Sequence, residues 1–141
     1  MRRQYPKAET MKSVLCEQVR PDLNKKLSFL GVYAGDEIVF HPPTPGALPY
    51  RLQGLAFVFM FKDGAGEFRT QFSLMNASGE TACEIELESM TMEKGKSAAC
   101  IVQIGNIEFA AEGVYRAMLT LERKQYPFDF VVSSSNAERS A

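Results

Sequence analysis

Alternation with a period of two runs through most of this chain and limits what it can fold into. From Thr81 to Ser89, Cys83, Ile85 and Leu87 fall on one face while Glu84, Glu86 and Glu88 fall on the other. A helix would scatter these side chains around its axis, whereas an extended strand gives one apolar face and one acidic, solvated face. Glu67 to Met75 repeats the pattern, with Phe68, Thr70, Phe72 and Leu74 set against Arg69, Gln71 and Ser73. It returns near the carboxyl end. There Tyr115, Ala117, Leu119 and Leu121, and then Tyr126, Phe128, Phe130 and Val132, alternate with mostly polar neighbours.

Turn chemistry punctuates these runs. Lys62-Asp63-Gly64-Ala65-Gly66 and Asn76-Ala77-Ser78-Gly79 read as tight connections, so residues 52 to 89 are expected to form three consecutive antiparallel strands. The link through Arg123 to Gln125 predicts a closing hairpin. Val14 to Val19 and Lys26 to Tyr33 read as two strands joined around Pro21-Asp22-Leu23-Asn24, with Gly31 marking a bulge or bend. Asp36 to Phe40 is a short strand stopped by Pro42-Pro43. Ser97 to Ile104 is another, followed by a turn at Gly105-Asn106 and a short Ile107-Glu108-Phe109 segment. No segment sustains helical spacing. Eight to nine short strands with frequent turns predict an all-β fold, a two-layer antiparallel β-sandwich of immunoglobulin-like type.

A length of 141 residues suits one domain. The expected division is a flexible segment over residues 1–10, one sandwich over 11–132 and a polar, flexible tail over 133–141. Net charge is −1, which supplies no long-range positive field for nucleic acid or an anionic membrane. No apolar run approaches bilayer length. Met1-Arg2-Arg3-Gln4-Tyr5-Pro6-Lys7 lacks the apolar segment and cleavage site of a signal peptide, so the expected location is cytoplasmic. Cys16, Cys83 and Cys100 have no metal-binding spacing and fall in apolar registers, which reads as reduced core thiols.

Two stretches break the simple pattern. Leu55, Phe57, Phe59 and Phe61 alternate with Ala56, Val58 and Met60, so this strand is apolar on both faces. A two-layer sandwich leaves one face of a strand to water, and such a strand therefore needs a cover. A loop, the amino-terminal segment or another subunit could supply it, and Leu55, Phe57, Phe59 and Phe61 are the candidate interface residues, with a ligand surface as the further option. The second stretch, His41 to Tyr50, carries four prolines and reads as a stiff crossover between sheets, with Pro42-x-x-Pro45 as a formal recognition motif.

The available chemistry is thin. His41 is the single histidine, which excludes zinc sites built on several imidazoles and means that a Ser-His-Asp triad could use only His41; there is no G-x-S-x-G elbow to present a serine nucleophile. Asp63-Gly64-Ala65-Gly66 lacks the lysine of a phosphate loop. Glu84, Glu86 and Glu88 stand about 7 Å apart along one strand face, where they could bind Ca²⁺ or act as acid and base, or simply protect an edge. The reading is a non-enzymatic protein-interaction or structural module, acting as a homodimer or on an unidentified protein partner, with no cofactor. A small-ligand or carbohydrate-binding sandwich is the alternative, and a carboxylate-based enzyme comes third.

Val14 to Arg20, Lys26 to Tyr33 and Pro42-Pro43, taken with Ala111 to Arg116 and Phe128 to Val132, resemble a family of small bacterial immunoglobulin-like β-sandwich domains of unknown function. The likeness covers most of residues 12 to 132. It implies the fold and a tyrosine-corner role for Tyr115, and it carries over no catalytic or binding residue.

Overall fold

Nine strands form in the computed structural model, which describes residues 3–42 and 47–135. They are β1 (Lys12–Pro21), β2 (Leu27–Val32), β3 (Glu37–Phe40), β4 (Tyr50–Phe61), β5 (Gly66–Met75), β6 (Thr81–Met92), β7 (Ala98–Phe109), β8 (Gly113–Leu121) and β9 (Lys124–Ser134). Among the described residues, helix occurs only as single 3-10 turns. The strands divide into a four-stranded sheet, β2-β1-β4-β7, and a five-stranded sheet, β3-β9-β8-β5-β6. Neighbours are antiparallel except β3, which lies parallel to β9 from Glu37↔Val131 to Phe40↔Ser134. The two sheets face each other as a two-layer β-sandwich.

Side chains of high apolar area fill the space between the sheets. The Phe57 ring lies 5.0 Å from Phe72 and 5.6 Å from Phe130, and Phe59 meets Phe128 edge-on at 6.3 Å. Tilted and edge-on contacts of this kind are the favoured geometries of aromatic pairs. Tyr115 Oη donates to the carbonyl of Ala111 at 2.6 Å, the corner contact the sequence suggested at the start of this strand. At the next residue of the same turn, Tyr50 Oη and Ser134 Oγ each donate to Glu112 at 2.8 Å, tying β4 in one sheet to β9 in the other. These two hydrogen bonds hold the Glu112 carboxyl below its ordinary range.

The expected run of three paired strands over 52–89 needs correction. β5 and β6 do form a hairpin, with Phe72 opposite Ile85, but β4 belongs to the facing sheet. Pairing β4 with β5 would set Phe57 and Phe59 beside Phe72 in one layer and leave that layer with nothing opposite. Placed centrally between β1 and β7, β4 instead meets Phe72 across the sandwich. The turn expected at Gly105-Asn106 is also absent: β7 runs through it, with Asn106 at φ 52.

That irregularity belongs to a crease crossing the four-stranded sheet. Tyr50 and Leu52 face the core, and so do Leu55 and Phe57, so the alternation of β4 slips by one at Gln53-Gly54. The paired segment of β7 slips at Gly105-Asn106. In β1 the outward face passes from Cys16 to Val19, and opposite this step β2 carries Gly31 at φ 67. Pairing of β1 with β4 stops at Cys16↔Ala56, although β1 continues to Pro21. Beyond that point β1 leans over the outer face, where the Val19 amide donates to Gln103 Oε1 of β7 at 3.4 Å.

The termini are more engaged than the sequence suggested. Within the segment expected to be flexible, Gln4 to Lys7 contact the sandwich. Gln4 exchanges backbone hydrogen bonds with Ala65 at 2.8 and 2.9 Å, and the Tyr5 ring sits 5.3 Å from Phe68. Pro6 O accepts from Tyr126 Oη at 2.6 Å, which satisfies a fully buried phenol. Ser133 and Ser134, assigned to the tail, complete β9, while 136–141 lie outside the described residues. The proline-bearing crossover carries the chain from β3 in one sheet to β4 in the other, and Pro43 to Gly46, with the Pro45 end of the formal motif, fall outside the described residues.

Gly31 carries the crease on β2. A Cβ there would lie 2.7 Å from Glu17 Cδ, and its φ of +67° costs any L-residue roughly 1–2 kcal/mol. Urea denaturation of Gly31→Ala is therefore expected to show a loss of about 1–2 kcal/mol. An unchanged midpoint would mean that β2 does not turn through the left-handed region.

Candidate functional site

The four candidate interface residues are not on the surface. Leu55, Phe57, Phe59 and Phe61 are 0–1% exposed and belong to the core between the sheets. No partner could reach them without separating those sheets, because register places all four on the inner face of β4. The opposite face of the same strand carries Ala56 and Val58, also fully buried, in a second cluster with Cys16 and Val19. Val14, Phe29, Met60 and Ile101 pack around it. The cover the sequence demanded is therefore intramolecular. It is the β1-β2 hairpin, bent over at the crease, rather than a loop, the amino-terminal segment or a second subunit.

Bending the hairpin leaves a groove beside it. From Tyr50 to Leu55, β4 pairs only with β7, since β1 has left its other side. The resulting concavity, about 670 Å³, is lined by Glu17 and Gln18 of β1, Tyr33, residues 51–55 of β4 and Gln103 to Gly105 of β7. The β1 backbone passes over β4 here: a Cβ added at Gly54 would make ordinary van der Waals contact with the Glu17 carbonyl at 3.6 Å. Burial and the neighbouring Glu17 carboxylate both push the Tyr33 hydroxyl above its usual range, so it stays a donor. Arg51 is held by Glu108 at 2.8 Å. Glu17 forms no ion pair among the described residues. The motif segments Val14 to Arg20 and Lys26 to Tyr33 contain Glu17 and Tyr33 but give them no binding role, and no motif contains Gln53 or Gln103. The available signal was the recurrence of glycine at 31, 54 and 105 inside otherwise good strands.

The second exposed feature is the outer edge of β2. Leu27, Leu30 and Val32 are 38%, 37% and 55% exposed, and Leu23 at the hairpin tip is 87% exposed. The segment Leu27–Val32 contains neither charge nor proline. Other edges differ. β6 presents Glu84, Glu86 and Glu88 to solvent, β3 has four residues including Glu37, and the large apolar side chains of β7 are at least half-buried.

The residues weighed for chemistry do not converge. His41 is exposed just after β3, far in topology from the exposed glutamates of β6. Among the described residues, no group of three His, Cys, Asp or Glu side chains could hold a metal ion. The thiols are free, with Cys16 buried and Cys83 and Cys100 half-buried against the main core. Among the described residues no helix is long and apolar enough to cross a membrane.

Comparison with known proteins places this fold in context. Residues 12–128 match a family of unknown function (DUF6941), and the chain belongs to that family. No curated protein matches the sequence.

Burial pushes the Cys100 thiol up to about 11. The neutral thiol is thus favoured throughout the physiological range, and the thiolate forms only as pH rises toward that value. Alkylation of the native protein by iodoacetamide at pH 8, read by peptide mass spectrometry, should be about 100-fold slower at Cys100 than at a free cysteine. Reaction at the free-cysteine rate would contradict its placement against the core.

Proposed function

We propose that this member of the DUF6941 family is a non-enzymatic, immunoglobulin-like protein-interaction module that self-associates through the outer edge of β2. The observation that carries the reading is the contrast between sheet edges. Exposed strand edges invite pairing with another chain, and natural sheets deter it with charge, proline or shortness. β6 follows that rule with its row of glutamates. Over Leu27–Val32, β2 does not, and it adds exposed apolar side chains to an open main-chain edge.

Antiparallel pairing of two β2 strands about a two-fold axis brings Leu27 of one copy near Val32 of the other. It joins two four-stranded sheets into one continuous sheet, with the same patch used on both sides. Main-chain hydrogen bonds supply much of the affinity in strand addition, and the apolar side chains supply the rest. A six-residue edge lies at the small end of specific interfaces, which run near 1,200–2,000 Å², so the dimer is expected to be concentration-dependent. Three free cysteines support a reducing, cytoplasmic setting. The scattered positions of His41 and the exposed glutamates support a role without catalysis.

Sedimentation velocity provides the test. The native chain should form dimers at micromolar concentration, and Leu30→Lys with Val32→Lys should yield a folded monomer. A native protein that stays monomeric over that range would overturn the self-association.

A further inference from the structure

The groove at the crease is a separate surface from the β2 edge, with different chemistry. Its floor is the stretch of β4 that β1 abandons after Cys16↔Ala56. That stretch keeps β7 on one side and has no strand partner on the other. In an antiparallel ladder, successive residues direct their N–H and C=O groups alternately to the two sides. The abandoned side of β4 therefore offers main-chain donors and acceptors at every second residue along the groove, a pattern that an extended polypeptide, rising about 3.3 Å per residue, matches. The volume of about 670 Å³ lies within the range of roughly 300–1,000 Å³ typical of ligand sites. Gln18, Gln53 and Gln103 add side-chain amides, each able both to donate and to accept.

Charge selects among peptides. Arg51 is neutralised by Glu108, whereas Glu17 has no cationic partner among the described residues, so the uncompensated charge in the groove is negative. Tyr33 beside it remains protonated and offers a further donor.

We propose that the groove between the bent β1 and residues 51–55 of β4 binds an extended peptide segment as an added strand, with a Lys or Arg side chain placed against Glu17. A strand-addition site of this kind reads main-chain spacing for affinity and one side chain for selectivity.

The test uses the full chain and two terminally blocked pentapeptides, Thr-Val-Lys-Val-Thr and the same sequence with Glu at its centre. Amide hydrogen exchange and heteronuclear NMR titration should show slowed exchange at residues 51–55 with the Lys peptide. The Lys peptide should bind about tenfold more tightly than the Glu peptide. In Glu17→Gln, verified as folded by its thermal melt, that difference should disappear while the protection remains. Three results would overturn the proposal: no protection of residues 51–55 by either peptide, equal binding of the two peptides by the native chain, or protection confined to β2. The last would be peptide addition at the edge used for self-association, so failure of the two readings is distinguishable.

Discussion

One strand sets the terms for the rest of this molecule. β4 is apolar on both faces, and the free energy of leaving either face in water exceeds what a two-layer sandwich can tolerate at its centre. The inner face is met by the aromatic side chains of β5 and β9. The outer face has no third layer of helix to meet it, so the four-stranded sheet folds its own edge hairpin across it. Cys16 and Val19 then bury Ala56 and Val58 from the same sheet. A third layer is made from the second.

This solution has structural consequences that reach the surface. A sheet cannot bend this sharply with regular alternation, and the slip in side-chain register runs across β1, β4 and β7 at one level, with Gly31 of β2 opposite the step in β1. Glycine at 31 takes the left-handed conformation, and the β1 backbone passes directly above Gly54. Where β1 departs, β4 loses a neighbour and a polar groove opens. Where β2 is carried outward, an uncharged edge remains. The two surfaces offered for recognition are thus by-products of covering one strand, which is why they adjoin each other near Tyr33 and Val32.

Much of this architecture was legible because solvated sheets write their orientation into sequence. β5, β6, β8 and β9 each have one wet face, so their alternation reports both the strand and its inward residues. Tyr115 was legible for a different reason, since its place just after Gly113 at the start of a strand suits a corner hydrogen bond. Partnership was less legible. A short turn such as Lys62 to Ala65 fits a hairpin as well as a crossing between sheets, and only the need for a facing layer decides it. The candidate interface residues Leu55, Phe57, Phe59 and Phe61 were correctly grouped on one face. They line the core between the sheets, and the face that needed a cover is the opposite one, with Ala56 and Val58. The crease itself imitates loops: Gly105-Asn106 reads as a turn because a register slip and a reversal use the same residues. Glu17, Gln53 and Gln103 escape notice for the same reason, since their proximity arises from the slip and from no local spacing.

The bent hairpin covers the outer face of β4 through Cys16 and Val19, and a double-mutant cycle between Val19→Ala and Val58→Ala measures that cover directly. Residues that share one buried cluster should couple, and an interaction energy above about 0.5 kcal/mol is expected from chemical denaturation of the two single variants and the double. Strict additivity would contradict it, showing that the outer face of β4 is covered by something other than β1.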